Sequence, residues 1–189
     1  MAHIAVLGLG NWGSAIARLW LLDGHNVKGW TVEQEVYESI TMEGMNHKYL
    51  PEHSLEGLEA TMHVEEVLEG SEIIVLALPS SVILNVVEDI IEHLRPGHVL
   101  LDLAKGLAPG KRLISEAIHQ MLNEKNMHNP LAVLTGPTIA PEAAGGVMTT
   151  ALVASEDMSV AENLAATLTT PTFILHAASD PVGAELWGA

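Results

Sequence analysis

Gly8-Leu9-Gly10-Asn11-Trp12-Gly13 fits the pattern G-x-G-x-x-G, a spacing suited to holding a phosphate against bare backbone. Gly8 permits a tight turn. Gly10 lets an anion approach the main chain, and Gly13 lets a helix pack closely on a strand. His3 to Leu7 reads as the strand before this turn and Asn11 to Leu22 as the helix after it. A helix opening at Asn11 offers free N–H groups and the positive end of its dipole. In that strand–turn–helix setting the motif points to a dinucleotide pyrophosphate; alone it would mark only a tight turn. An acid near the end of the next strand commonly binds the ribose 2′-hydroxyl. Glu33 is the one acid near that distance, and it serves equally well as an acid at a helix start. Lys28, on the strand itself, is read as facing solvent. The residues leave NAD and NADP open.

A second group of residues falls where other strands end. Glu72 to Leu78 is followed by Pro79-Ser80-Ser81, His98 to Leu103 by Ala104-Lys105-Gly106, and Leu131 to Thr135 by Gly136-Pro137-Thr138. Ligands of open parallel sheets bind outside the carboxyl ends of the strands. Pro79 can simply stop a strand, Lys105 can be a solvated lysine and Gly136-Pro137 a turn. Together on one edge they make a site, in which the Lys105 ammonium can hold a substrate oxygen.

The elements that must position these residues alternate along the chain. Further strands are expected at Val27 to Thr31, Thr149 to Ala154 and Thr172 to His176. Helices are expected at Glu35 to Glu43, Val64 to Leu68, Ser81 to Leu94 (capped by Ser80 or Ser81), Leu113 to Lys125 and Met158 to Leu168, with another starting at Val182 to Trp187. Asn46 to Leu58 reads as irregular. Alternation of this kind specifies an α/β fold, a Rossmann-type doubly wound and mainly parallel sheet. Residues 1–180 are read as the dinucleotide-binding domain and 181–189 as the start of a truncated C-terminal domain, the helical second domain being absent.

Composition narrows the function classes. The 189 residues carry 24 acids against 8 bases, a formal charge of −16, so the overall field repels nucleic acid and anionic membranes. A phosphate-bearing ligand must then be held by local features. Without cysteine there is no thiolate catalysis or cysteine–zinc site. The ten histidines show no metal-ligand spacing, so no metal is expected. Gly106 to Arg112 is one residue short of a Walker A loop and lacks Ser or Thr after its lysine. No signal peptide or membrane span is visible, which makes a cytoplasmic protein the default.

The blocks as a set resemble the N-terminal domain of soluble NAD(P)-dependent glycerol-3-phosphate dehydrogenases. They run from Ile4 to Gly13, through Asn46 with Tyr49-Leu50-Pro51, Leu78-Pro79-Ser80, Ala104 to Leu107, and Gly136 to Ala140 with Glu142, to Val182-Gly183 and Glu185-Leu186. Other hydroxyacid dehydrogenases share the glycine turn but not the lysine–glycine and glycine–proline blocks together. The resemblance implies reversible hydride transfer between a nicotinamide and dihydroxyacetone phosphate, a small phosphate substrate, and is compatible with a homodimer of the full-length protein. It implies that Asn11, Trp12, Pro79 and Ala140 join the glycines in contacting cofactor. It further implies that Lys105 contacts both substrate and cofactor, and that Gly136 and Thr138 contact substrate. Many bacterial members carry an arginine near position 32 for the NADP 2′-phosphate. Val32 stands here, which leans the reading toward NAD. In the family the main proton-transfer lysine follows Glu-Leu after a short glycine/alanine run, and here Glu185-Leu186-Trp187-Gly188-Ala189 ends the chain.

Overall fold

A computed structural model of the chain describes residues 1–188. Eight strands form one sheet: β1 (His3–Leu7), β2 (Asn26–Trp30), β5 (Glu59–Thr61), β6 (Ile73–Leu76), β7 (Val99–Asp102), β8 (Leu131–Thr135), β9 (Thr149–Ala154) and β10 (Phe173–Ala178). Their order is β10-β9-β8-β7-β6-β1-β2-β5. A separate hairpin pairs β3 (Met45–Asn46) with β4 (Leu50–Ser54). The helices are α1 (Asn11–Leu22), α2 (Gln34–Glu43), α3 (Val64–Leu68), α4 (Ile83–Ile90), α5 (Ile114–Glu124), α6 (Ala140–Ala144), α7 (Met158–Leu168) and α8 (Pro181–Gly188).

The central strands are apolar along their whole length because both faces are covered. Ile4 and Val6 of β1 join a core with Trp20 of α1, Ala144 of α6 and Leu168 of α7. Ala5 and Leu7 point the other way, into a core with Ile74, Val87 of α4 and Ile118 of α5. The alternation of one strand thus feeds both layers. The chain leaves β1 toward β2 and later returns to its other side as β6. The crevice at the carboxyl ends of β1 and β6 is therefore the switch point, the place where such sheets bind ligands.

Several boundaries differ from the sequence reading. β2 ends at Trp30, because the Thr31 hydroxyl accepts the Glu33 N–H at 3.1 Å instead of continuing the strand. α4 begins at Ile83 with neither Ser80 nor Ser81 capping it. The Pro79 carbonyl accepts the Val82 and Ile83 N–H groups, and the expected last turn tightens to a 3-10 turn at Ile91–His93. The segment read as irregular holds the β3–β4 hairpin, and Glu59–Thr61 adds a sheet edge beyond β2.

β9 and β10 run antiparallel to the rest, β8 and β9 forming the one antiparallel join in the main sheet among the described residues. Only α6, unforeseen in the sequence, lies between β8 and β9. Five residues of helix rise about 7.5 Å, less than half the length of a strand of about 17 Å, so α6 is no crossover helix spanning the sheet. The chain therefore turns back alongside β8 rather than crossing over.

Candidate functional site

The three motif glycines have different reasons to be glycine. Gly8 sits at φ +100°, and a Cβ there would lie 2.5 Å from the Ala77 carbonyl oxygen. A Cβ on Gly13 would lie 1.8 Å from the Gly8 carbonyl oxygen. Both are fixed by packing of α1 against the ends of β1 and β6. Gly10, the N-cap of α1, has φ −74°, which any residue adopts, and a Cβ there would meet nothing within 4 Å. Nothing in the protein itself requires glycine at position 10. Its bare backbone faces the open cleft, at a helix start with no side-chain cap and no acid in its first turn.

The turn is anchored from beneath. Buried Asn46 donates to the Leu9 carbonyl and to the Ser14 hydroxyl, each at 2.9 Å, and Ser14 donates to the same carbonyl at 3.1 Å. Asn46 also accepts the Tyr49 N–H at 3.1 Å. One side chain thus ties the glycine turn to the hairpin that carries Lys48 and Tyr49.

A cavity of about 470 Å³ opens at the switch point. It is lined by all the expected turn residues (Gly8, Gly10, Asn11, Trp12 and Gly13), by Glu33 past β2, and by Pro79 past β6. Trp12 is held edge-on to Phe173, with ring centroids 6.0 Å apart. Glu33 is the N-cap of α2, yet its carboxylate makes no cap hydrogen bond. It accepts instead from the Lys48 ammonium and, at 2.8 Å, from the Tyr49 hydroxyl. The Lys48 bond, then the Tyr49 bond, holds its carboxyl below the usual range. Lys28 turns away from the cleft, its ammonium on the Glu66 and Glu69 carbonyls. Neither Lys48 nor the anchoring role of Asn46 was legible from spacing alone, because both depend on a hairpin read as irregular.

The remaining expected residues lie outside this cavity. Lys105 is exposed past β7 and makes no hydrogen bond or ion pair among the described residues. Its neighbour Gly106, at φ +110°, packs beside Ser80. Gly136 lines a larger cavity of about 600 Å³ bordered by β8, β9, β10 and α8, with Thr150, Leu152, His176 and Trp187. Thr138 donates its N–H to the Gly136 carbonyl at 2.9 Å. Ala140 opens α6, and its side chain packs against the core.

Two acids are buried near the Lys105 loop, Asp102 bonded into it and Glu185 bonded to the start of α5, and neither was singled out in the sequence for that role. Asp102, fully buried at the end of β7, accepts the Ala104 N–H at 2.8 Å through one oxygen while the other has no partner. Burial pushes its carboxyl up to about 7, with Glu185 adding to the rise. Glu185 of α8 caps the first turn of α5, accepting from the Ser115 hydroxyl and from the Ile114 N–H at 2.5 Å.

A family model matches most of this sequence. The family model described as the NAD-dependent glycerol-3-phosphate dehydrogenase N-terminus matches residues 3–161. The chain belongs to this family. Dehydrogenases named glycerol-3-phosphate dehydrogenase [NAD(P)+] from Halothermothrix orenii and an Exiguobacterium species are 34% and 36% identical to it, over 99% and 100% of its length. The crystal structure of the Coxiella burnetii glycerol-3-phosphate dehydrogenase superposes with a TM-score of 0.92 at 30% identity, over 99% of this chain and 57% of that one. The chain spans about half the length of the curated relatives it matches, 54% and 56% for the two named. Among the described residues no helix is long and apolar enough to cross a membrane.

Proposed function

We propose that these residues form the cofactor-binding half of a glycerol-3-phosphate dehydrogenase, with the pyrophosphate of NAD(H) or NADP(H) seated on the first turn of α1. The observation that carries this reading is Gly10, a glycine with ordinary φ and open space where its Cβ would stand. Its absent side chain suits a ligand. When bound, the nicotinamide supplies the hydride that reduces dihydroxyacetone phosphate to sn-glycerol 3-phosphate. The chain's own residues bind and orient. Backbone N–H groups at Gly10 to Gly13 meet the diphosphate charge. Glu33 and Tyr49 border the adenosine ribose, and Pro79 walls the cleft. Lys105 reaches the carbonyl oxygen and offsets the charge that grows there, while Gly136 and Thr138 shape the substrate end and Ala140 the cofactor's flank. Residues 181–189 lead toward the substrate domain. The same reading puts the protein in the cytoplasm and allows a homodimer of the full-length form.

Titration of NADH into wild type and Gly10→Val tests the reading. The valine has room in the free protein, so the two should melt alike, whereas Gly13→Ala should lower the melting temperature sharply through its clash with Gly8. NADH binding by Gly10→Val is expected to fall at least about tenfold, because the side chain fills the space needed by the pyrophosphate. Equal NADH binding by the two proteins would overturn the assignment.

A further inference from the structure

The ribose end of the cleft holds a charge arrangement that the glycine motif does not require. A carboxylate past β2 that serves only a ribose 2′-hydroxyl needs no cation beside it. Glu33 nevertheless has both oxygens engaged, one with Lys48 and one with Tyr49. The Lys48 ammonium lies 5.2 Å from the centre of the Tyr49 ring, and 4.0 Å from Glu35. Its side chain is 40% exposed and that of Glu33 33%, so the pair is open to solvent beside the cavity that Glu33 and Tyr49 line. Asn46 fixes the hairpin to the glycine turn, which sets where the ammonium stands relative to a bound dinucleotide.

Other polar groups at this end are already committed. The Lys28 ammonium is on two carbonyls, and the Thr31 hydroxyl accepts from Glu33. Val32 is exposed and apolar. A 2′-phosphate would meet Glu33 in a chain of formal charge −16, and a nearby cation must offset that repulsion. A lysine on a flexible stem with three donors can turn from a carboxylate to a phosphate a few ångströms away.

We infer that Lys48 is the counter-ion for a 2′-phosphate, and that the Glu33–Lys48 pair sets how strongly this site prefers NADH over NADPH. The inference rests on the proposal that the cleft binds a dinucleotide. With NADH, Lys48 stays on Glu33, and the carboxylate retains lone pairs for the ribose 2′-hydroxyl. With NADPH, the ammonium moves to the phosphate, and Glu33 keeps Tyr49. Position 32 can therefore be valine without NADPH being excluded.

The test is a set of NADH and NADPH titrations on wild type, Lys48→Gln, Lys48→Arg and Glu33→Gln. Lys48→Gln is expected to weaken NADPH about tenfold and to leave NADH within about twofold, as loss of one charge-assisted contact to the phosphate would do. Lys48→Arg should keep NADPH binding. Glu33→Gln should shift the affinity ratio toward NADPH by about tenfold, since it removes the repelling charge and frees the ammonium. If wild type binds both cofactors and none of the variants changes their ratio, this inference is overturned while the proposed function stands. If wild type binds neither, both are overturned.

Discussion

Given NADH and dihydroxyacetone phosphate, these 189 residues by themselves are expected to turn over at least about 10⁴-fold more slowly than the full-length Exiguobacterium relative assayed in parallel. Hydride transfer to a ketone leaves negative charge on oxygen, and a placed acid must neutralise it. Lys105 is the ammonium that the structure puts at the carboxyl edge of the central strands, and its exposure leaves it in water, where it stabilises that charge weakly. In the proposed reading Lys105 would polarise the oxygen, and the proton transfer would fall to a lysine that follows the Glu-Leu block in the family. Loss of a proton-transfer group costs about 10² to 10⁴ in rate. Loss of the surface that would orient the substrate phosphate multiplies that deficit. NADH oxidation followed by absorbance decides the matter. Comparable turnover by the two proteins would place the proton transfer on Lys105 or another residue of this chain.

Stability is expected to fall as pH rises from about 4 to 7, and Asp102 is the cause. Its carboxyl is raised to about 7 in the folded chain, above the ordinary value of 3.8. In that window the folded state keeps a proton that the unfolded state releases. The contribution is thus fully present below the unfolded value and lost as pH passes through the folded one. A shift of this size corresponds to about 4 kcal/mol. Asp102→Asn removes the titration. It leaves a buried amide N–H group without a partner, which costs about 1–3 kcal/mol. The net gain above pH 7 is then about 2 kcal/mol, or roughly 4–8 °C in melting temperature for a chain of this length. Melting curves of the two proteins between pH 5 and 8 should converge toward the acid side and separate toward the alkaline side. Parallel curves would show that Asp102 is ionised throughout.

Strand–turn–helix logic carried the sequence reading where local pattern and tertiary packing agree. His3–Leu7 and Asn11–Leu22 appear with the expected bounds, as do Leu131–Thr135, Thr149–Ala154 and Met158–Leu168. Each is a long apolar run or a strongly periodic helix. Edges chosen by hydrogen bonding were less legible. Ser80 and Ser81 looked like caps, but the Pro79 carbonyl takes the first N–H groups of that turn. The direction of β9 could not be read from its residues, because the alternation of a strand is the same whichever way it runs. It is set by the short path through α6.

The site shows the same division. Gly8, Gly10 and Gly13 share one motif, but only the space around each separates the two packing glycines from the one left open to the cleft. Glu33 was legible as a candidate from its distance to the turn. Its pairing with Lys48 and Tyr49 was not, since those residues come from a hairpin whose β3 strand is two residues long. Asp102 lay hidden inside an apolar strand, and its role beneath the Lys105 loop emerges from burial alone.

Two cavities compete for the ligand, and a backbone NMR titration of the isotopically labelled chain with ADP-ribose separates them. The account predicts that the amide signals of Gly10, Asn11, Trp12, Gly13 and Glu33 shift together along one saturating curve, while those of Thr150, Ala151 and Leu152 beside the larger cavity stay in place. Shifts confined to the larger cavity, with the glycine turn unmoved at saturation, would contradict it.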